Sequence, residues 1–314
     1  MRNLTLLILL FTMMGCQSPE QELPRVIVST DIGGSDPDDF QSMVHFLVYA
    51  DRFDIEGLVS SPPHAGRKEH IEEVIDAYAQ DFPNLKKHAD FPSPLYLRSV
   101  TKQGATDALE TAEPTELSEG AAWIVEKAQE EDQPLYVLVW GSITDVAQAV
   151  HAEPGIKKNL RVYSIGSWNT QQDPNSREYL YKNHPDLWWV ENNTTFRGMY
   201  MGGMQEADYE NTAFVENHVK GHGALGDLFW KKKKDIKMGD TPSVFYLLSG
   251  NPEDPTDESW GGTFIKDSQR PNYWTDDINP ELVENNKPGA RTVNRHRKAY
   301  LDDWAKRMDW TLGE

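Results

Sequence analysis

The amino-acid sequence predicts an α/β fold, in which an open, mainly parallel and twisted sheet carries helices on both faces. Two observations support this fold. Short β-branched or apolar runs alternate with segments whose apolar residues follow helical spacing, and each run ends in polar or glycine residues. Repeated strand–helix–strand units of this kind bury parallel strands between two helical layers. In such sheets ligands bind beyond the carboxyl ends of the strands.

The first strand–helix–strand unit spans residues 26–59. Residues 26–29 are a β-branched run that predicts a buried strand, and residues 40–49 place apolar side chains on one side of a helix. Residues 55–59 predict the second strand. The crossover between the two parallel strands should be right-handed.

The same pattern recurs in the middle of the chain. A helix, a strand, a helix and a strand are predicted in turn at residues 121–129, 135–139, 144–151 and 160–165. Thr144 or Asp145 is the expected N-cap of the second of these helices. The last third of the chain is richer in Gly, Pro, Asn and Trp, and it predicts helices and long loops that cap the carboxyl edge of a Rossmann-like core.

The first 16 residues have the pattern of a lipoprotein signal peptide. An apolar run at residues 4–14 is too short to span a bilayer, and it leads to Gly15 and Cys16, where such peptides are cleaved and the cysteine is lipidated. Residues 17–24 predict a polar tether, and residues 25–314 a single domain. We therefore expect an exported, lipid-anchored protein on the periplasmic face or the surface of a bacterial outer membrane.

Composition limits the partners of this domain. Cys16 is the only cysteine, so an internal disulfide is excluded. The formal net charge of −19 argues against a nucleic acid polymer, which needs a basic surface, but not against a nucleoside, which carries no phosphate. No later segment is long and apolar enough to cross a bilayer, so the sequence predicts membrane contact through the N-terminal lipid only.

An aspartate-rich segment lies between the first strand and its helix. Asp31, Asp36, Asp38 and Asp39 fall within nine residues. Crowded carboxylates at a sheet edge repel one another unless some take up protons or a cation binds among them. Only oxygen donors cluster here, which suits calcium, whereas zinc normally also binds histidine or cysteine. The alternative is that these side chains only cap the N-terminus of the helix.

This segment resembles the N-terminal signature of the nucleoside hydrolases. Residues 30–34 read Thr-Asp-Ile-Gly-Gly and residues 37–39 read Pro-Asp-Asp, a longer form that is closer to the nucleoside-hydrolase-like domain of bacterial proteins described as cellulose-binding. Further similar segments follow in order at residues 53–59, 140–145, 218–227, 239–243 and 302–310. The resemblance extends from Arg25 to Trp310 and implies a nucleoside-hydrolase-like fold over this whole region.

The resemblance also implies roles for single residues. Asp31 and Asp39 would ligate calcium (Ca2+) together with the backbone carbonyl of Trp140 and the carboxylate of Asp240. Asp38 would bind ribose-type hydroxyls. In nucleoside hydrolases the ion holds the nucleophilic water, and the aspartate matched by Asp31 accepts its proton. A carboxylate base is needed because calcium lowers the pKa of water less than zinc does. Attack by water predicts inversion at the anomeric carbon.

The sequence departs from the hydrolase pattern near the sugar and the leaving group. Gly239 stands where these enzymes usually place a histidine, which weakens the case for a purine or pyrimidine base as leaving group. His64 lies near the position of a sugar-binding asparagine, and Asn169 is a candidate replacement for that amide. Trp168 has a flat indole face that suits stacking on a sugar or base. His222 is a candidate leaving-group acid or sugar donor, or a structural loop residue.

Three hypotheses follow from the sequence. The first is a calcium-dependent hydrolase of N-ribosyl or other glycosidic bonds, which acts on a nucleoside or on a plant-polysaccharide fragment. The second is a non-catalytic surface lipoprotein that kept the hydrolase fold and binds cellulose or another plant polysaccharide through aromatic side chains. In the third, the aspartates cap a helix and no ion binds. Related hydrolases often self-associate, so a homo-oligomer is compatible with each hypothesis.

Overall fold

The structure is a computed structural model, and it describes residues 23–34, 36–63 and 65–313. The signal peptide, Cys16 and most of the tether lie outside the described residues, as does His64. Within the described ranges, no helix combines the length and the apolar character that a membrane crossing requires.

The described residues form one sheet of eight strands. In chain order these are β1 Arg25–Thr30, β2 Asp54–Ser60, β3 Thr101–Gln103, β4 Leu135–Val139, β5 Leu160–Ile165, β6 Trp189–Asn192, β7 Phe264–Lys266 and β8 Tyr273–Asp276. Their order across the sheet is β3-β2-β1-β4-β5-β6-β8-β7. Every neighbouring pair is parallel except β7 with β8, which is antiparallel.

Twelve α-helices accompany this sheet in the described part of the chain. They are α1 Asp38–Val48, α2 Lys68–Leu85, α3 Pro94–Ser99, α4 Glu119–Glu130, α5 Thr144–Ala152, α6 Trp168–Gln172, α7 Pro174–Asn183, α8 Asn211–His218, α9 Gly223–Lys232, α10 Thr241–Leu248, α11 Ala290–Asn294 and α12 Arg297–Leu312. Short 3-10 helices, among them Thr195–Met199, occur in the connections.

Successive residues of the buried strands point to opposite faces of the sheet and supply two hydrophobic cores. In β4, Tyr136 and Leu138 enter one core, whereas Val137 and Val139 enter the other. The first core also contains residues of α1, α2, α9, α10 and α12, and the second contains residues of α4, α5 and α7. Helices therefore cover both faces of the sheet, which confirms the predicted architecture.

The central elements agree with the sequence predictions. Strands β4 and β5 have the predicted bounds, and β1, β2, α1, α4 and α5 differ from prediction by at most two residues at either end. The predicted N-cap of α5 is wrong, because Ile143 precedes the helix and no side chain caps it. Thr144 Oγ1 instead donates to Asp173 Oδ2 at 2.6 Å, and Asp145 Oδ1 accepts from the Ala105 N–H at 2.8 Å.

The last third of the chain is not made of helices and loops alone. Strand β8 extends the sheet beyond β6, and β7 pairs with it as the edge strand. These strands have only four and three residues, too few for their periodicity to predict them. Helices α9 and α12 pack beside α1 and α2 on one face of the sheet. The expected cap over the carboxyl edge comes instead from the connections that follow β6 and precede α10.

A buried histidine lies in the first core. His45 on α1 is fully buried, and neither ring nitrogen has a hydrogen-bond partner among the described residues. The rings of Tyr49, Phe245 and Trp304 surround it at centroid distances of 4.8, 4.9 and 5.4 Å. Burial and, to a lesser extent, the positive charge of Arg307 lower the pKa of His45 from 6.5 to about 3. The imidazole is therefore neutral in the folded protein near neutral pH.

We expect His45→Phe to make stability less sensitive to acid. Because the folded pKa lies below that of the unfolded chain, the unfolded state takes up a proton first. Stability then falls as the pH drops from about 6.5 towards about 3. Between pH 7 and pH 5, His45 should lower the free energy of unfolding of the wild type by about 2 kcal/mol. His45→Phe should not show this loss. Urea unfolding at the two pH values measures the difference.

The control is His151→Phe, which removes an exposed imidazole at the end of α5. If His45→Phe lost as much stability as the wild type between the two pH values, the buried imidazole would not be the neutral group described here.

Candidate active site

A cavity of about 270 Å³ lies at the carboxyl edge of the sheet. The loops that follow β1, β4, β5 and β6 surround it, together with the segment that leads into α10. Its described lining residues are Asp31, Gly34, Asp36, Asp38, Asp39, Trp140, Ile165, Gly166, Ser167, Trp168, Asn169, Phe196, Arg197, Tyr200, Lys237 and Asp240. The cavity therefore occupies the edge at which the sequence predicts ligand binding.

The turn after β1 brings the aspartate-rich segment to this cavity. Gly33 has a φ of +91°, a conformation that side chains with a Cβ rarely adopt, and the Gly34 N–H donates to the Asp31 carbonyl at 2.9 Å. Helix α1 begins immediately after the turn, so Asp38 and Asp39 occupy its first turn. The sequence order of strand, glycine turn and helix thus holds four carboxylates, those of Asp31, Asp36, Asp38 and Asp39, beside one cavity.

Three carboxylates form a tight cluster. Side-chain oxygens of Asp38, Asp39 and Asp240 all lie within 4.8 Å of one another. Asp240 comes from a distant part of the chain, directly before α10, and is buried. Thr30 Oγ1 donates to Asp39, and Ser42 Oγ donates to Asp240 Oδ2 at 3.3 Å. These two hydroxyl donors carry no charge, so they do not neutralise the cluster.

Asp31 lies beside this cluster. Its carboxyl group shares a hydrogen bond with that of Asp39 and is exposed to the negative charges of Asp240 and Asp38. The resemblance implies Asp31, Asp39 and Asp240 as carboxylate ligands and Asp38 as a sugar-binding residue. The structure brings all four to the same cavity, with the oxygens of Asp38, Asp39 and Asp240 within 4.8 Å of one another.

Burial is the main influence on the acidity of these groups. It raises the pKa of Asp31 to about 8 and that of Asp38 to about 6. Burial, followed by the negative charges of neighbouring aspartates, also raises the pKa of Asp39 and Asp240 well above the ordinary value. The protein alone therefore does not stabilise four ionised carboxylates here, and either protons or a cation must supply positive charge.

Trp140 and Asn169 lie on the side of the cavity next to β4 and β5. The Trp140 indole N–H donates to Ser243 Oγ at 2.8 Å, and the Trp140 carbonyl accepts from Asn169 Nδ2 at 2.6 Å. Gly141, the next residue, lets Asp31 pack closely against this loop, since a Cβ at that position would lie 2.8 Å from the Asp31 Cβ. Both predicted residues thus line the cavity, with the amide of Asn169 holding the carbonyl that the resemblance assigns to calcium.

Residues after β5 and β6 complete the wall. Trp168 begins α6 and is 54% exposed, so its ring is available for stacking. Phe196, Arg197 and Tyr200 also line the cavity, and the sequence analysis did not identify them. The signal that could have revealed them is the apolar run at residues 187–190, because a parallel strand there places the loop that follows it at the same edge.

His222 and Gly239 were both expected near the leaving group, but only Gly239 borders the site. His222 lies in the turn before α9, with Nε2 3.3 Å from Asp309 Oδ1, and is not among the cavity residues. It is held there because α9 packs against α2 and α12. Gly239 does border the site, since a Cβ on it would lie 3.4 Å from Asp38 Oδ2 and 3.3 Å from the ring of Phe196. Glycine therefore keeps open the space next to Asp38.

The cluster has the chemistry of a site for a hard divalent cation. Three carboxylate oxygens converge, and no histidine or cysteine occurs among the described cavity residues. Calcium binds oxygen ligands of this kind, whereas zinc sites usually include nitrogen or sulfur. The raised pKa values fit the same interpretation, because an ion would offset the repulsion that burial intensifies. The residues present therefore fit a hard divalent cation such as calcium.

Comparison with known families addresses the origin of this arrangement. A family model described as "Cellulose-binding Sde182, nucleoside hydrolase-like domain" matches residues 25–264. The chain belongs to this family. The match covers β1 to β6 and ends at the first residue of β7, so it includes every strand-end loop that lines the cavity as well as Asp240. No curated protein matches the sequence significantly.

Solved structures share the fold of this Sde182-type domain. A nucleoside hydrolase-related hypothetical protein from Saccharophagus degradans, associated with carbohydrate metabolism, is 27% identical with a TM-score of 0.73, over 92% of this chain and 72% of that one. The purine-preferring ribonucleoside hydrolase from Gardnerella vaginalis is 13% identical with a TM-score of 0.53, over 91% and 98%. The type III effector XopQ, complexed with adenosine diphosphate ribose, is 11% identical with a TM-score of 0.59, over 93% and 95%. These similarities establish a nucleoside hydrolase-like fold.

Asp240→Asn should weaken calcium binding on the order of tenfold or more, because it removes one of three charged ligands. In chelator the variant should be at least as stable as the wild type, since it relieves repulsion among buried carboxylates. Thermal unfolding at increasing calcium concentrations measures both effects through the concentration at which the melting temperature rises.

Asp36→Asn is the matched control. Asp36 lines the same cavity but pairs with Lys237 and lies outside the three-carboxylate cluster. If calcium stabilised neither the wild type nor the control, or stabilised Asp240→Asn equally well, the cluster would not be a calcium site.

Proposed function

We propose that this domain is a calcium-dependent hydrolase of N-ribosyl or other glycosidic bonds. The observation that carries the proposal is the convergence of Asp38, Asp39 and Asp240, with Asp31 beside them, at the strand ends of a nucleoside hydrolase-like fold. Carboxylates in a partly enclosed cavity suit the stabilisation of an oxocarbenium-like transition state, which is positively charged.

Calcium is the cation that the ligand set favours. A bound calcium ion would supply positive charge among the carboxylates and hold water beside Asp31. The Trp140 carbonyl is a further candidate ligand, since it lies in the cavity lining and is already oriented by Asn169. The backbone of Trp140 is itself fixed, because its N–H donates to the Ser29 carbonyl at 2.7 Å.

Asp31 is the proposed general base. It lines the cavity beside the cluster, and the positive charge of a bound ion would favour its ionised form, which can accept a proton. Water would lose a proton to Asp31 as its oxygen bonds to the anomeric carbon. The bond from that carbon to the leaving nitrogen or oxygen breaks, and the leaving group takes the electron pair and a proton from solvent water. Attack by water opposite the leaving group gives inversion.

The remaining cavity residues would bind the sugar. Asp38 has acceptor oxygens for sugar hydroxyls next to the open space at Gly239. The exposed face of Trp168 suits stacking on a sugar or base, and Asn169 lies next to it at the start of α6. Because no side chain fills the space at Gly239, a sugar unit of an oligosaccharide is as acceptable a leaving group as a nucleobase.

Asp31→Asn should reduce turnover by at least about a hundredfold, because asparagine keeps the shape of the side chain but cannot accept the proton. Folding and calcium-dependent stabilisation should persist. A screen of nucleosides and of xylan, cellulose and pectin oligosaccharides with added calcium first identifies a hydrolysed compound, and initial rates of the two proteins on it are then compared.

Equal rates in the wild type and Asp31→Asn would contradict the assignment of Asp31. Asp36→Asn again serves as the control, since it removes a carboxylate from the rim of the same cavity without touching the proposed base.

A non-catalytic carbohydrate-binding role is the second candidate. Two observations favour it: the 54% exposure of Trp168 at the cavity and the description of the family as cellulose-binding. Oligosaccharide binding by intact, calcium-loaded protein with no product after long incubation would support this candidate over the hydrolase.

We further propose export and lipid anchoring through Cys16, on the basis of the signal-peptide pattern in the sequence. In a bacterial host the wild-type protein should fractionate with membranes and incorporate a labelled fatty acid, whereas Cys16→Ala should do neither. The label is diagnostic because Cys16 is the only cysteine. Membrane retention or labelling of Cys16→Ala would contradict the proposal.

A further inference from the structure

One cation on the cavity wall, Arg197, forms no ion pair with any residue that the structure describes. Arg197 lies in the 3-10 helix Thr195–Met199, and among the described residues no carboxylate oxygen lies within 4.0 Å of its guanidinium. The other cavity cation, Lys237, pairs with Asp36. Arg177, in the neighbouring helix α7, pairs with Glu191 at 2.8 Å. Lys237 and Arg177 are therefore each paired with a carboxylate, whereas Arg197 is not paired with one among the described residues.

The guanidinium is nevertheless held in a fixed orientation. Its Nη1 donates to the Asn193 carbonyl at 2.9 Å, its Nη2 donates to Ser167 Oγ at 3.2 Å, and its central carbon lies 4.5 Å from the centroid of the Phe196 ring. A guanidinium has five N–H donors, and these contacts use two of them. Three donors remain for a ligand in the cavity that Arg197 lines.

The residues that orient Arg197 are themselves constrained. Ser167 has a φ of 59°, which is unfavourable for a residue with a side chain, and its N–H donates to Asn193 Oδ1 at 2.9 Å. Asn193 in turn donates its N–H to Asp276 Oδ2 at 3.0 Å. Strained backbone of this kind persists where the surrounding contacts enforce it, and it is commonly found at binding sites. The position of the guanidinium is therefore built into the fold.

The charges of Arg197, Asp38 and Asp240 all affect the pKa of Tyr200, which lines the same cavity. Burial raises the pKa of Tyr200 to about 12, the charge of Arg197 opposes that rise, and the charges of Asp38 and Asp240 add to it. Because Asp38, Asp240 and Arg197 line one cavity of about 270 Å³, a ligand of the size of a sugar can contact the acidic region through its hydroxyls and Arg197 at another point.

We propose that the substrate carries an anionic group, a carboxylate or a phosphate, that binds to Arg197. The proposal rests on the proposed function, because it assumes that sugar hydroxyls occupy the aspartate side of the cavity. A guanidinium forms paired hydrogen bonds with either anion, and a pre-oriented one does so at low entropic cost. Sugars with these groups include uronic acids and sugar phosphates.

Isothermal titration with matched monosaccharides tests this proposal without requiring turnover. The calcium-loaded wild-type protein is titrated with galacturonate and galactose, and separately with ribose 5-phosphate and ribose. We expect at least one anionic sugar to bind about tenfold or more tightly than its neutral partner. The pair that shows the preference identifies the group as carboxylate or phosphate.

Arg197→Gln should remove that preference, and Arg197→Lys should retain part of it. Arg98→Gln, which removes the same charge from α3 outside the cavity lining, should leave the preference unchanged. Calcium-dependent stabilisation of Arg197→Gln verifies that the variant is folded and that the aspartate cluster is intact.

Equal affinities within both pairs, the absence of binding by either anionic sugar, or a preference that persists in Arg197→Gln would overturn the proposal. If only the proposed function is wrong, the result is different: the protein still prefers the anionic sugar, this preference still depends on Arg197, and no glycosidic bond is hydrolysed.

Discussion

The crowding of buried carboxylates at one edge of the sheet is the constraint on which the rest of this site depends. Asp38, Asp39 and Asp240 bring their oxygens within 4.8 Å of one another, and Asp31 adjoins them. Burial penalises each negative charge, and each charge raises the pKa of its neighbours. Protonation would relieve the repulsion but would remove the base that the proposed hydrolysis requires. A divalent cation would relieve it while leaving Asp31 ionised and able to accept a proton, so the proposed ion binding and the proposed catalysis share one physical requirement.

The parallel sheet brings the members of this site together from distant parts of the chain. Every lining segment follows a strand or precedes a helix at the same edge, so residues as far apart in sequence as Asp31 and Asp240 meet at one cavity. The neighbouring loops after β5 and β6 contribute the exposed ring of Trp168 and the oriented guanidinium of Arg197. The cavity consequently combines an acidic region, a stacking surface and one cation, a combination that suits a sugar derivative more than a purely apolar ligand.

Much of the fold could be predicted because the central strands are continuous apolar runs, and β4 and β5 were predicted at their observed bounds. Strands β3 and β7 have three residues each, which is too short to show a period. Within the site, local spacing placed Asp38 and Asp39 at the start of a helix, and family resemblance added Asp240. Sequence could not show that Asp38 lies so close to Asp39 and Asp240, because that depends on the direction of its side chain. Nor could sequence identify Arg197, because its interest depends on its hydrogen bonds to Asn193 and Ser167 and on its not forming an ion pair with the described residues.

Anomalous diffraction from crystals grown with calcium tests the central claim most directly. We expect one strong peak among the carboxylates of Asp38, Asp39 and Asp240, with oxygen ligands at about 2.3–2.6 Å. A well-ordered cavity without that peak at saturating calcium, with the three aspartates bonded only to protein groups, would contradict it.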